Sequence, residues 1–178
     1  MSFDASSDLE IIKSNKISDL FAFKLSVFND FRGSIYTTYL KNKFEDYLPS
    51  GLEFVHDKFS CSKKNVIRGL HGDIKTWKLV TCVSGSVQQV VVDCRPDSKT
   101  YMQWESFEIN RENQIVVLVP PNFANGYCAL SEEAVYHYKL AYIGKYFDTE
   151  DQFLVKWNDE RLKINWLVDN PILNKRDE

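Results

Sequence analysis

Histidine is scarce in this chain. There are three, His56, His71 and His137, and no two are separated by a single residue. A protein metal site usually needs three or more converging nitrogen, sulfur or oxygen ligands, so no metal ion is expected. The four cysteines, Cys61, Cys82, Cys94 and Cys128, never fall in a CxxC spacing. That excludes a zinc ribbon and points to reduced, mostly buried thiols in a cytoplasmic protein. No apolar run approaches the roughly 20 residues of a spanning helix, and Met1 to Glu10 lack the basic and apolar regions of a secretory signal, so no membrane partner is expected. No basic block exists either: 22 Lys and Arg face 25 Asp and Glu, a net charge of -3. A nucleic-acid partner is therefore disfavoured.

What the chain has in quantity is aromatic side chains, with 12 Phe, 9 Tyr and 4 Trp. Together with many β-branched residues they indicate a β-rich body lined by rings. At 178 residues one domain is the default, spanning 1–178 with its core at about 21–166.

The first twenty residues read as weakly helical or as a peripheral strand. Phe21 to Phe28 alternates like a strand, Asn29 to Gly33 reads as a loop, and Asn42 to Tyr47 as one helical turn closed by Pro49-Ser50-Gly51. From Leu52 the pattern is nearly all β. Leu52 to Ser60, Val66 to His71, Trp77 to Val83, Ser86 to Asp93, Met102 to Ile109, Gln114 to Val119, Gly126 to Ala129 and Ala134 to Ile143 are each of strand length. Turn signals separate them about every ten residues, as in an all-β sandwich or jelly-roll barrel. Val83-Ser84-Gly85-Ser86-Val87 reads as a tight hairpin. The tail after Phe147 is expected to pack back over the barrel and to end in a solvated Lys175-Arg176-Asp177-Glu178.

Chemistry concentrates in Val66-Ile67-Arg68-Gly69-Leu70-His71-Gly72 and Trp77-Lys78-Leu79-Val80. In a regular strand Arg68 and His71 point to opposite faces. They serve one cavity only if the strand bends or bulges at a glycine, for which Gly69 and Gly72 are well placed. A suitably oriented histidine is a competent base near neutral pH, and a cation beside a carbonyl oxygen stabilises an enolate. Lys78 or Arg68 can supply that cation, Asp159 is a candidate carboxylate partner for His71, and Tyr138 is the leading phenol to return a proton from the opposite side.

These segments, with Val92-Asp93-Cys94-Arg95, Pro120-Pro121-Asn122-Phe123-Ala124-Asn125-Gly126, Tyr138-Lys139 and Trp157-Asn158-Asp159, resemble the successive signatures of the dTDP-4-dehydrorhamnose 3,5-epimerase family from about Asp30 to Trp166. The resemblance implies a cupin-type jelly-roll β-barrel with short peripheral helices, a homodimer sharing edge strands, and epimerisation of a nucleotide-linked 4-keto sugar without metal or redox cofactor. It implies His71 as base with Asp159 as its carboxylate, Lys78 beside the C4 oxygen and Tyr138 as acid. Arg68 matches a residue near the diphosphate, and Arg32 one that reaches the nucleotide across the dimer. His56 and Lys58 stand where the family usually has Gln and Asn among its substrate contacts, and Asn125 where it has His. Such departures are similar to a branch acting on GDP-linked 4-keto heptoses for bacterial capsules. A C3-only epimerase, a 3,4-ketoisomerase and an inactive sugar-nucleotide-binding cupin are the alternatives.

Overall fold

The β-branched and aromatic runs form thirteen strands in a computed structural model that describes residues 9–147 and 149–178. In chain order these are β1 (Glu10–Lys13), β2 (Phe21–Lys24), β3 (Val27–Asp30), β4 (Gly33–Tyr36), β5 (Phe54–Lys63), β6 (Ile67–Gly72), β7 (Trp77–Ser84), β8 (Ser86–Asp93), β9 (Trp104–Asn110), β10 (Ile115–Val119), β11 (Phe123–Ala129), β12 (Glu133–Ala141) and β13 (Phe153–Leu154). One short helix, α1 (Lys41–Phe44), runs into a 3-10 turn at Glu45–Tyr47, where the helical turn was expected. Of the first twenty residues, Glu10–Lys13 take the peripheral-strand option; residues 1–8 lie outside the described residues.

Two antiparallel sheets face each other. The first has the order β1-β2-β10-β7-β12-β5 and the second β13-β6-β11-β8-β9, while β3 and β4 make a separate hairpin. This is the expected all-β jelly roll. Its interior holds Val80, Cys82, Val87, Val91, Val117, Tyr127 and Tyr136, all buried.

Both sheets are also covered on their outer faces. Phe44 of α1 packs with Phe23, Leu79 and Leu118 beside the flanking tyrosines, and Leu70, Val90 and Val92 pack under the C-terminal segment with its Leu162, Ile164 and Trp166. Two-sided burial explains why the Val90-Val91-Val92 run of β8 and most of β11 are apolar without alternating: Val87 and Val91 face the interior, while Val90 and Val92 face the tail. Each such Val or Leu contributes about 1.5–3 kcal/mol on burial.

One local expectation fails. Ser84-Gly85-Ser86 is not a hairpin, because β7 pairs with β10 and β12 whereas β8 pairs with β11 and β9. The chain instead crosses from one sheet to the other there. Gly85, at φ +80°, makes the corner where a Cβ would meet the Glu133 carbonyl oxygen at 2.2 Å.

Candidate active site

The bulge that the sequence required is present in β6. His71 lies opposite Asn125 and Arg68 opposite Tyr127, with a register shift between Asn125 and Tyr127. Two residues of β11 therefore span three of β6, which brings Arg68 and His71 to the same inner face. The shift is built on two glycines in contact. A Cβ on Gly69, whose φ is +115°, would stand 2.7 Å from the Gly126 Cα, and a Cβ on Gly126 would stand 2.5 Å from the Arg68 carbonyl oxygen.

Arg68 and His71 line one pocket with Lys58 of β5, Lys78 of β7, Asn125 of β11, Tyr138 and Leu140 of β12, and Tyr146 and Gln152 from the following segment. The sequence reading singled out Lys58, Arg68, His71, Lys78, Asn125 and Tyr138, and the fold brings all six together.

Asp159 does not join them. Its carboxylate folds back on its own turn, accepting from the Arg161 backbone N–H at 2.9 Å and pairing with the Arg161 guanidinium at 2.6 Å. An aspartate that closes its own turn in this way is locally satisfied. The carboxylate on His71 belongs to Asp177, whose Oδ1 lies 2.7 Å from Nε2. Its Oδ2 accepts from the Gly69 N–H at 3.5 Å. Asp177 is therefore not solvated, being 2% exposed. The tail is carried there by Ile172, which accepts from the Ile67 N–H at 3.0 Å and donates to the Asn65 carbonyl at 2.8 Å. An ionised carboxylate only accepts, so Nε2 carries the proton and Nδ1 holds the lone pair.

Burial pushes the His71 imidazole below its ordinary pKa. The charge and hydrogen bond of Asp177 oppose this, and Arg176 and Lys78 add to it. The ring is thus held neutral at physiological pH, as a base must be.

Lys78 is buried and lowered to about 8, first by desolvation and further by Lys58 and Arg176, with Asp73 acting against them. Its ammonium donates to Asn125 Oδ1 at 3.1 Å and to the His71 carbonyl at 3.3 Å. Asp73 Oδ2, buried and without a hydrogen-bond partner, lies 4.0 Å away. That carboxylate is fixed by the Lys75 and Thr76 backbone N–H groups on its other oxygen. Asp73 was not among the residues that the sequence singled out.

Tyr138 is raised above the usual phenol range by burial, so it is a protonated donor at neutral pH. Lys58 lies over its ring at 5.0 Å and donates to the Tyr146 hydroxyl at 3.3 Å.

Two other expected residues stand apart. His56 lies edge-on to Tyr142 and Tyr146 and does not line the pocket itself. Arg32 sits at the tip of the β3–β4 hairpin, paired with Asp30 and largely exposed. It borders a separate depression with Phe28 and Ile35.

An imidazole with its carboxylate, an ammonium and a phenol around one cavity can take a proton from carbon, hold a developing oxyanion and return a proton. Comparison with known proteins points the same way. The family model described as dTDP-4-dehydrorhamnose 3,5-epimerase matches residues 14–178. A Shigella flexneri protein named dTDP-4-dehydrorhamnose 3,5-epimerase is 35% identical over 172 residues, covering 95% of this chain and 93% of that one. A Pseudomonas aeruginosa protein of the same name is 37% identical over 164 residues, covering 90% and 89%. The crystal structure of dTDP-6-deoxy-D-glucose-3,5-epimerase from Legionella pneumophila, in complex with dTDP-4-keto-L-rhamnose, superposes with a TM-score of 0.87 at 32% identity, covering 96% of this chain and 90% of that one.

Proposed function

Because this chain belongs to the dTDP-4-dehydrorhamnose 3,5-epimerase family, we propose that it inverts C3 and C5 of a nucleoside-diphosphate-linked 4-keto sugar. The observation that carries the proposal is the convergence of the His71–Asp177 pair, Lys78 and Tyr138 on one pocket. The C4 carbonyl acidifies the hydrogens on both neighbouring carbons. His71 Nδ1 removes one of them, and the electron pair moves into the C3–C4 or C4–C5 bond as O4 becomes an enolate oxygen. Lys78, still charged below about pH 8, faces that oxygen and stabilises it. Tyr138 then gives its proton to the opposite face of the same carbon. The imidazolium loses its proton to solvent and the phenol regains one, so the cycle closes without redox chemistry.

The cations at the pocket suit a diphosphate. Lys58 and Arg68 are exposed on their outer sides, and Arg176 is held nearby by the Gln152 side chain and the Thr149 carbonyl. The chain acts as one catalytic domain in the cytoplasm, supplying precursors of surface polysaccharide. It works as a homodimer in which the β3–β4 hairpin carries Arg32 to the partner's nucleotide. The fully exposed Phe31 at the hairpin tip, 97% accessible, supports that arrangement.

A second reading concerns the substrate. Asn125 accepts from Lys78 where the family resemblance implies histidine, and Lys58 stacks on Tyr138 and Tyr146. These departures favour a GDP-linked 4-keto heptose over the rhamnose precursor. Incubating the protein in heavy water with dTDP- and GDP-linked 4-keto sugars tests both readings. Two deuterated carbons are expected in the accepted substrate. One deuterated carbon would make it a C3-only epimerase, carbonyl migration a ketoisomerase, and no uptake from any sugar a binding protein.

A further inference from the structure

A phenol that hands its proton to carbon is left as a phenolate, and an enclosed phenolate is costly unless a donor meets it. Burial opposes ionisation of Tyr138, as do the neighbouring Tyr127 and Tyr146; Ser60 and the charge of Arg68 favour it. Ser60 and Arg68 are the two ends of one connected path. Ser60 Oγ lies 2.8 Å from the Tyr127 hydroxyl. That hydroxyl lies 2.8 Å from Ser62 Oγ, and Arg68 Nε donates to Ser62 Oγ at 2.9 Å.

Strand register explains why these groups meet. Lys58, Ser60 and Ser62 alternate onto one face of β5, and on β12 Tyr138 lies opposite Lys58 while Tyr136 lies opposite Ser60. Tyr127 comes from the facing sheet, opposite Arg68. Its ring is fully buried and stacked on Tyr136 with centroids 4.2 Å apart.

Each hydroxyl has one proton to give, and a guanidinium can only donate. Ser62 therefore accepts from Arg68, which leaves its own proton free for Tyr127. Either hydroxyl of the Tyr127–Ser60 pair can donate; with Tyr127 donating, the Ser60 proton is free for Tyr138 and the Tyr138 proton for the pocket.

We infer that Tyr127, Ser60 and Ser62 are positioning residues of the reaction, forming a hydroxyl relay anchored on Arg68 that aims the Tyr138 proton at the substrate and stabilises the phenolate it becomes. The inference rests on Tyr138 being the acid, as proposed above. It concerns none of the groups that contact the reacting carbons.

The test is the partition of the enolate in heavy water. Protonation by Tyr138 inverts the carbon, whereas return from His71 exchanges it with retention. In Tyr127→Phe, which keeps the ring and deletes the link, inversion is expected to fall about tenfold with KM within about twofold. Exchange with retention falls less, so the ratio of exchange to inversion rises about fivefold. Ser60→Ala should act in the same direction, and Ser60→Thr, which keeps a hydroxyl, should restore the ratio. Ser60 is only half-buried, so that pair of variants decides the matter if Tyr127→Phe does not fold. A ratio unchanged from the parent protein in both Tyr127→Phe and Ser60→Ala overturns the relay. If Tyr138→Phe raises the ratio while those two do not, the relay alone is wrong. Should Tyr138→Phe leave the ratio unchanged, the acid assignment falls and the relay with it.

Discussion

Two histidine–aspartate pairs stand in this barrel at the same distance. His71 Nε2 lies 2.7 Å from Asp177 Oδ1, and His137 Nε2 lies 2.7 Å from Asp57 Oδ1. Their surroundings differ in every other respect. The Asp177 side chain is 3% exposed and the Asp57 side chain 50%. Burial tends to raise the Asp57 carboxyl, but hydrogen bonds from Lys139 and His137 outweigh it and leave it below the ordinary range. Its charge is thus shared with an ammonium. The His137 ring is covered by Phe59, stacked at 4.6 Å, whereas His71 faces a pocket with Lys78 and Tyr138. Proximity alone does not make the two pairs equivalent. A dry carboxylate used by one imidazole, and an open space beyond the ring, distinguish the first pair from the second.

The sharpest way to separate the pairs is to remove each imidazole. His71→Asn should lower the deuterium-exchange rate about 10³-fold while leaving ligand binding measurable by calorimetry. Next comes the buried carboxylate. Asp177→Asn should cost about 10²-fold in kcat, because the amide neither fixes the tautomer nor supports the imidazolium; KM should move little.

Electrostatics within the first pair's pocket can then be read from the pH profile. As the proposed base, His71 must be neutral, so activity is expected to fall on the acid side only below the ordinary imidazole range. As the proposed enolate partner, Lys78 must be charged, so activity is expected to fall as pH rises through about 8. Asp73 favours the charged form of Lys78, and Asp73→Asn should therefore move this alkaline limb to lower pH, as measured by initial rates across the range. A limb that stays in place would remove Asp73 from the account.

The smallest effect belongs to the second pair. His137→Asn or Asp57→Asn should change activity by less than about twofold. Thermal unfolding of Asp57→Asn, whose carboxylate is half-exposed, should show a loss of about 1 kcal/mol or less. A large loss of activity in either variant would erase the distinction between the pairs.

Most of the strands from Leu52 onward were legible because burial on both faces demands unbroken runs such as Ile115-Val116-Val117-Leu118-Val119. The pocket side chains were legible because Arg68, His71 and Lys78 crowd a short segment whose glycines announce a bulge. The partner of His71 was not. Asp177 is 106 residues away, and the charged run around it has the composition of a solvated end. The only hint was the apolar Pro171-Ile172-Leu173 just before it, which docks the tail through Ile172. Asp159 attracted notice by its motif, yet an aspartate two residues before an arginine is readily consumed locally. The sheet change at Gly85 was hidden for another reason. A tight turn looks the same in sequence whether the strands it joins pair with each other or part company.

The facing glycines, Gly69 and Gly126, carry a consequence for anyone seeking to redirect this protein by mutagenesis. Neither has a functional group, yet a Cβ at Gly69 collides with the Gly126 backbone and one at Gly126 with the Arg68 carbonyl oxygen. Retargeting libraries should hold both invariant and diversify the rim at Lys58, Tyr146 and Gln152, since a lone methyl in the seam would silence the protein by displacing Arg68 and His71 together.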